Sequence, residues 1–403
     1  MIDNNITTQC QLEWKDDRRR EDKEVTNCHL ANLRRIFCAD RKTNLSRLSR
    51  LIVAGMALAV IMAACGSASS SAKPNTPSSS SVSAANNKLI PVTIGLPNTN
   101  YWTLYVAREK GYFKQAGLNP TFLTYNTGAP YIAGLKSGAI PVVYTGLATL
   151  FALEDHIPIK YLYTFINSST EMALAVSPKS GITNFTQIAK ATSIAAPTAT
   201  CGQVSMALAA QKAGVPLSSL HYVNLDPSLL SSAFAKGQVD ATFIWAPWWM
   251  ELQASGLAKV VAYDKSYEPG PGVCASNLIV LPSLLKKYPT VGCRLIEADV
   301  LGAEEGQRNP GVAAQTMVKV LGVTPAVAKE VVAKLGIPTP QSQLSKTGGF
   351  SLTSTTGGLA KQLYVAQQGL VAAHAIPGGL TLSDIQSAMD PGPLQQFIQN
   401  PHC

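Results

Sequence analysis

Small neutral hydrogen-bond donors gather at two places in this sequence, each just ahead of a helical pattern. Asn98-Thr99-Asn100, followed by Tyr101, is one; Thr200-Cys201-Gly202 is the other. A helix start offers backbone N–H groups with no partner inside the helix, and the positive end of its dipole. Hydroxyl and amide side chains at such a start suit an anion held by neutral donors. Thr127, Thr145, Gly146 and Thr149 stand at further turns of this kind, and few basic residues share the loops. Ordinary helix capping uses the same Thr and Asn residues, so residue type alone leaves both roles open. Aromatic rings collect nearby at Tyr101, Trp102, Trp245, Trp248 and Trp249. Trp245 closes an apolar run and is the expected cavity wall. Trp248 and Trp249, at a helical start, fit the core better. No catalytic constellation is legible. G-x-S-x-G, the phosphate loop and H-E-x-x-H are all missing, and the five His residues are scattered. No catalytic residue, cofactor or metal is expected.

These loops need strands and helices to hold them. Apolar or β-branched runs at 92–96, 121–125, 140–145, 159–164 and 172–176 read as strands, and 102–116 and 129–137 as helices. Such alternation builds a largely parallel sheet with helices outside, and ligands bind at the carboxyl ends of its strands. The pattern then returns. Ile94-Gly-Leu-Pro97-Asn-Thr99 is echoed by Ile194-Ala-Ala-Pro197-Thr-Ala199, and two further matches bring the offsets to 99 to 102 positions. Two similar α/β lobes follow from an echo in order at near-constant spacing. The chain is expected to cross between them near Ser177 and near Ser276. That makes 88–177 with 277–403 lobe one and 178–276 lobe two. Helical patterns at 283–288, 291–308, 312–321, 326–335, 358–373 and 382–389 read as a helical subdomain on lobe one.

Of the 403 residues, 46% are apolar and 14% charged, enough for a sizeable core. The net charge of +9 is uneven, because residues 1–64 hold 11 of the 33 basic and 8 of the 24 acidic side chains. The remaining Lys residues are dispersed, so the basic patch that a nucleic-acid partner requires is missing. LIVAGMALAVIMAA at 51–64 follows Arg47 and Arg50 and fits a signal-peptide apolar region. It runs into Met62-Ala-Ala-Cys65, which resembles a bacterial lipobox and implies a lipidated Cys65 held at the membrane. Residues 1–64 are thus an N-terminal extension and signal peptide, with translation expected to start nearer Leu45. Residues 65–87, rich in Ser, Ala, Pro and Asn, read as a flexible tether. Cys201, Cys274, Cys293 and Cys403 follow, and their three possible pairings stay open.

The stretches AREKGYFKQAGL (107–118), GLKSG (134–138), YTGLATL (144–150) and GQVDATFIWAPWW (237–249) together resemble the substrate-binding proteins of bacterial ABC importers. The likeness is to the taurine, alkanesulfonate and nitrate group, and VDATFIWAP resembles its taurine branch. It covers roughly 88–401. It implies an α/β, two-lobed periplasmic-binding-protein fold of type II. It also implies an extracytoplasmic, non-enzymatic receptor of a small organic anion, partnered by a permease and ATPase. A taurine pocket needs a carboxylate for the ammonium; Glu171 is the expected one, and Asp240, at a strand start, is expected to be structural. Where taurine binders place an acid, this chain has Cys274, Ser276 and Asn277. The ligand-binding set is therefore Asn98, Thr99, Asn100, Tyr101, Thr127, Gly146, Glu171, Thr200, Cys201, Gly202 and Trp245. A planar heterocycle stacked on the rings is the other ligand reading. A relative that makes a thiamine pyrimidine uses a Cys-rich motif that this chain lacks.

Overall fold

The computed structural model describes residues 88–126, 128–268 and 272–403. The expected signal peptide, Cys65 and the expected tether, with Thr127, lie outside the described residues. Among the described residues, ten strands form two five-stranded sheets: β1 Ile90–Gly95, β2 Leu118–Leu123, β3 Val142–Thr145, β4 Lys160–Asn167, β5 Ala173–Val176, β6 Ile194–Ala196, β7 Tyr222–Asn224, β8 Ala241–Ile244, β9 Lys259–Tyr263 and β10 Ala275–Val280. The orders are β2-β1-β3-β10-β4 and β7-β6-β8-β5-β9. In each, four strands run in one direction and the remaining one, β10 or β5, is antiparallel to both of its neighbours. The sheets are two copies of one plan. Ile94 pairs with Phe122 and Val142, and Ile194 pairs with Tyr222 and Ala241. The register carries the same spacing of about a hundred residues that the sequence echo shows.

Each antiparallel strand is supplied by the other half of the chain, which sets where the chain crosses. β5 belongs to the second sheet, so the first crossing follows Asn167 and not Ser177. A short apolar run such as Ala173–Val176 has the same pattern in either sheet; only its partners decide. The return precedes Ala275, close to the expected position. Two other elements differ from expectation. The helix over 102–116 breaks at Gly111, whose φ of 78° ends Trp102–Lys110 before a second turn, Tyr112–Gln115, begins. β2 starts three residues early and contains Pro120, which an edge strand tolerates because its missing N–H faces no partner.

The C-terminal helices pack on lobe one, with Val291–Arg308 lying along Trp102–Lys110. At Gly302 a Cβ would stand 2.1 Å from the Thr103 carbonyl oxygen, so only glycine allows this approach. Helix Gly358–Ala372 also reaches the second lobe, packing on Cys201–Ala213. Gln367 Nε2 donates to Glu154 Oε1 at 3.0 Å, back on the first lobe. A further helix, Gly392–Gln399, was not expected from the sequence. Cys293 and Cys403 form a disulfide with their Cα atoms 5.8 Å apart, which leaves Cys201 and Cys274 as free thiols. Among the described residues no helix is long and apolar enough to cross a membrane.

Candidate functional site

The carboxyl ends of strands from both sheets converge on one cavity. Asn98–Tyr101 follow β1, Asn126 follows β2, Gly146 follows β3 and Ser168 follows β4. From the second sheet, Ala199, Thr200 and Cys201 follow β6, Asp226 follows β7, and Trp245 and Trp248 follow β8. Ser276 enters from β10. The cavity holds about 80 Å³, against roughly 10–15 Å³ for a single water, so a ligand of a few heavy atoms fits.

Eight of the expected residues line this wall: Asn98, Thr99, Asn100, Tyr101, Gly146, Thr200, Cys201 and Trp245. Their polar atoms are largely committed. The Thr99 hydroxyl donates to Asn100 Oδ1 at 3.1 Å, and the Thr99 N–H donates to Tyr105 Oη at 2.9 Å. Thr200 is a helix cap. Its Oγ1 donates to the Pro197 carbonyl at 2.7 Å and accepts the Gly202 N–H at 3.2 Å. Ala199 just before it holds φ at 65°, a left-handed conformation that costs a non-glycine residue energy. Tyr101 Oη and Ser276 Oγ share a hydrogen bond of 3.0 Å, and Ser276 meets Ser168 at 3.2 Å. Burial raises the Tyr101 phenol far above its ordinary range, so it stays neutral.

The exception is Trp245. Its Nε1–H is buried and has no acceptor in the protein, and the residue is part of the cavity wall. An unpaired buried donor is costly unless something else fills it. The wall carries one formal charge among the described residues, Asp226, and no Lys, Arg or His. Asp226 Oδ1 accepts from the Ser228 N–H at 2.9 Å and the Ser228 hydroxyl at 2.7 Å.

Two expected residues are not on the wall. Glu171 is buried behind it, where Asn100 Nδ2 donates to its Oε2 and Oε1 has no partner. Burial pushes its carboxyl well above the usual range, against the Asn100 bond and the distant Lys334 charge. It holds Asn100, a wall residue, from behind. Gly202 lies under β8, where a Cβ would stand 2.5 Å from the Phe243 carbonyl oxygen. Packing demands glycine there, and its N–H already serves the cap. Asp240 is structural as expected, accepting from the Thr192 and Ser193 N–H groups at 3.0 and 3.1 Å. Trp249 is core and donates to the Glu171 carbonyl at 2.7 Å, whereas Trp248 lines the cavity. Asp226 was missed as a site residue: Asp226-Pro227 reads as a helix start, and it is one as well as a wall residue.

Beside the cavity a polar cluster is buried. Asp264, Glu268 and Cys274 bring ligand-type atoms within 4.8 Å of one another. Ser205 Oγ donates to Asp264 at 2.9 Å and the Val273 N–H to Glu268 at 3.0 Å. Burial and mutual repulsion raise the Asp264 carboxyl, and burial raises Glu268.

Two duplicated α/β lobes with a cavity at their facing strand ends define a periplasmic-binding-protein fold. The solved structures bear this out. The alkanesulfonate-binding protein SsuA of Xanthomonas axonopodis pv. citri, bound to MOPS, superposes with a TM-score of 0.61 at 18% identity, over 75% of this chain and 99% of that one. The nitrate-binding protein NrtA of Synechocystis PCC 6803 gives 0.61 at 11% identity, over 77% and 89%. The desulfurization enzyme DSZB has the same fold, with a TM-score of 0.51 at 16% identity, over 77% and 99%. The chain belongs to the NMT1/THI5-like family, whose model matches residues 98–313. A protein of Brucella abortus (strain 2308) named as a binding protein is 31% identical over 213 residues, 52% of this chain. The match spans 60% of that relative's length.

Proposed function

We propose that the chain is the extracytoplasmic substrate-binding receptor of an ABC importer, capturing a small organic anion such as taurine or an alkanesulfonate between its lobes. The observations that carry this reading are a cavity walled by neutral donors of both lobes and, in the wall residue Trp245, a buried Nε1–H with no acceptor. A sulfonate oxygen would take that donor, with the two helix starts supplying neutral positive potential. Asp226 favours a ligand that also carries a positive end, so an aminosulfonate fits better than a simple alkanesulfonate. The neighbours named for sulfonate and nitrate binding support an anion of this kind. Four wall aromatics, Tyr101, Tyr131, Trp245 and Trp248, support the second reading, a small planar heterocycle. With no His on the wall among the described residues, a Ser–His or Cys–His pair cannot be assembled there, which supports binding over catalysis.

A thermal-shift screen over taurine, alkanesulfonates, nitrate, pyrimidines and riboflavin tests the ligand. A ligand at roughly 100 times its dissociation constant stabilises by about 2.7 kcal/mol. Taurine is expected to give the largest shift; a shift from a pyrimidine alone would replace the anion reading. The MAAC sequence ending at Cys65 further supports a lipid anchor that places the receptor beside its permease and ATPase. Cys65→Ser should block processing of the precursor, and normal maturation of that variant would remove the anchor from the reading.

A further inference from the structure

One glycine on the cavity wall serves neither a turn nor a packing contact. Gly146 follows β3 and is half-buried, between the buried Thr145 and Leu147. Its φ lies outside the left-handed region. Among the described residues a Cβ built on it would meet Cys201 Sγ and Ser276 Oγ alone, each at 3.9 Å, an ordinary van der Waals distance. Gly128, also on the wall, differs: a Cβ there would stand 2.7 Å from that of Ala148. Alanine is therefore allowed at 146, and what glycine leaves there is open room. That room is bordered from both lobes, by Gly146 and Ser276 of the first sheet and by Cys201 at a helix start of the second. It also has a proton to offer. Ser276 Oγ shares hydrogen bonds with Tyr101 Oη at 3.0 Å and Ser168 Oγ at 3.2 Å. Three hydroxyls hold three protons, and the two bonds use two of them. Whichever way the chain runs, one proton is left over among the described residues. When Tyr101 and Ser168 both donate to Ser276, the spare proton is on Ser276, whose oxygen faces the room in front of Gly146.

We propose that this room is the subsite for the oxygen-bearing end of the ligand, with Ser276 donating to an oxygen and Gly146 setting how large that end can be. The inference rests on the binding reading above and states where the head group of its ligand sits. A sulfonate has three acceptor oxygens, so one can take the Trp245 N–H while another takes the Ser276 hydroxyl. A side chain at 146 would put a methyl group where the head sits. A tetrahedral sulfonate would be displaced, because a filled pocket rejects a ligand by steric overlap. Nitrate, planar and smaller, would lose less.

The test is calorimetric titration of the full chain with taurine, nitrate and cytosine, beside thermal unfolding without ligand. Gly146→Ala is expected to melt at the native temperature yet to bind taurine roughly tenfold or more weakly, with a smaller loss for nitrate. Ser276→Ala is expected to weaken both anions roughly tenfold or more. Equal losses for taurine and nitrate in Gly146→Ala would overturn the subsite, because they would mean a shifted loop and not a filled space. A lowered melting temperature of that variant, or unchanged taurine binding in it, would overturn it too. Should the native chain bind cytosine and neither anion, the anion reading falls by itself. Weaker cytosine binding in Gly146→Ala would then support the subsite, with the ring carbonyl as its oxygen, and unchanged binding would remove it. A native chain that binds none of the three overturns both. Gly146→Ala decides even if Ser276→Ala does not fold.

Discussion

Trp245 and Asp226 separate the ligand readings because each removes one kind of contact. Trp245→Phe keeps a ring on the wall and deletes the unpaired N–H. A hydrogen bond to a charged group contributes about 1.5–3 kcal/mol, so affinity for a sulfonate should fall roughly ten- to a hundredfold. A ligand held by stacking alone would be nearly indifferent to the change. Asp226→Asn has a sign that depends on the ligand. It should weaken taurine, whose ammonium loses its carboxylate, and should strengthen an alkanesulfonate, which loses a repulsive neighbour. Calorimetric titration of both variants reads both effects. Thr200→Val now has a different meaning. Its hydroxyl caps a helix, so the substitution should cost about 0.5–2 kcal/mol of stability whatever its effect on binding. The sequence showed that donors cluster at these helix starts. It could not show which hydroxyls are spent on their own backbone, because capping and ligand binding select the same residues. Glu171 was mistaken for a wall residue for a related reason: nothing in the NSSTE run tells whether a carboxylate faces the cavity or the back of Asn100.

At the scale of elements, the contact between Trp102–Lys110 and Val291–Arg308 carries a testable charge. Asp299 is buried in it, with the Thr103 hydroxyl donating to Oδ1 at 2.7 Å. Burial pushes its carboxyl from 3.8 up to about 7, the hydrogen bond opposing the rise. The folded state therefore holds a proton that the unfolded chain releases from about pH 4 upward. Stability from this group is complete below pH 4 and is lost as pH rises towards 7, by up to about 4 kcal/mol. Denaturant unfolding of Asp299→Asn between pH 4 and 8 should show a flatter decline than wild type. An unchanged slope would place the titration elsewhere. The amphipathic pattern of 291–308 was legible to the residue. The break at Gly111 was not, because one glycine inside a helical pattern can be tolerated or can end the helix, and here its positive φ ends it.

The duplicated lobes were legible at the scale of the whole molecule because the echo near a hundred residues survives in the strand register itself. The exchange of β5 and β10 between the sheets was not legible, since strand partners and direction leave no trace in a four-residue apolar run. That exchange ties the lobes into one unit, joined by two crossings beside a shared cavity. Helix Gly358–Ala372 bridges them on one side. Receptors built as two lobes on short crossings close like a hinge around their ligand. Small-angle X-ray scattering of the protein with and without taurine, at a concentration that raises its melting temperature, tests this centrally. The account predicts a smaller radius of gyration with taurine bound. An unchanged scattering curve under that same saturation would contradict it, and would place the ligand on one lobe alone.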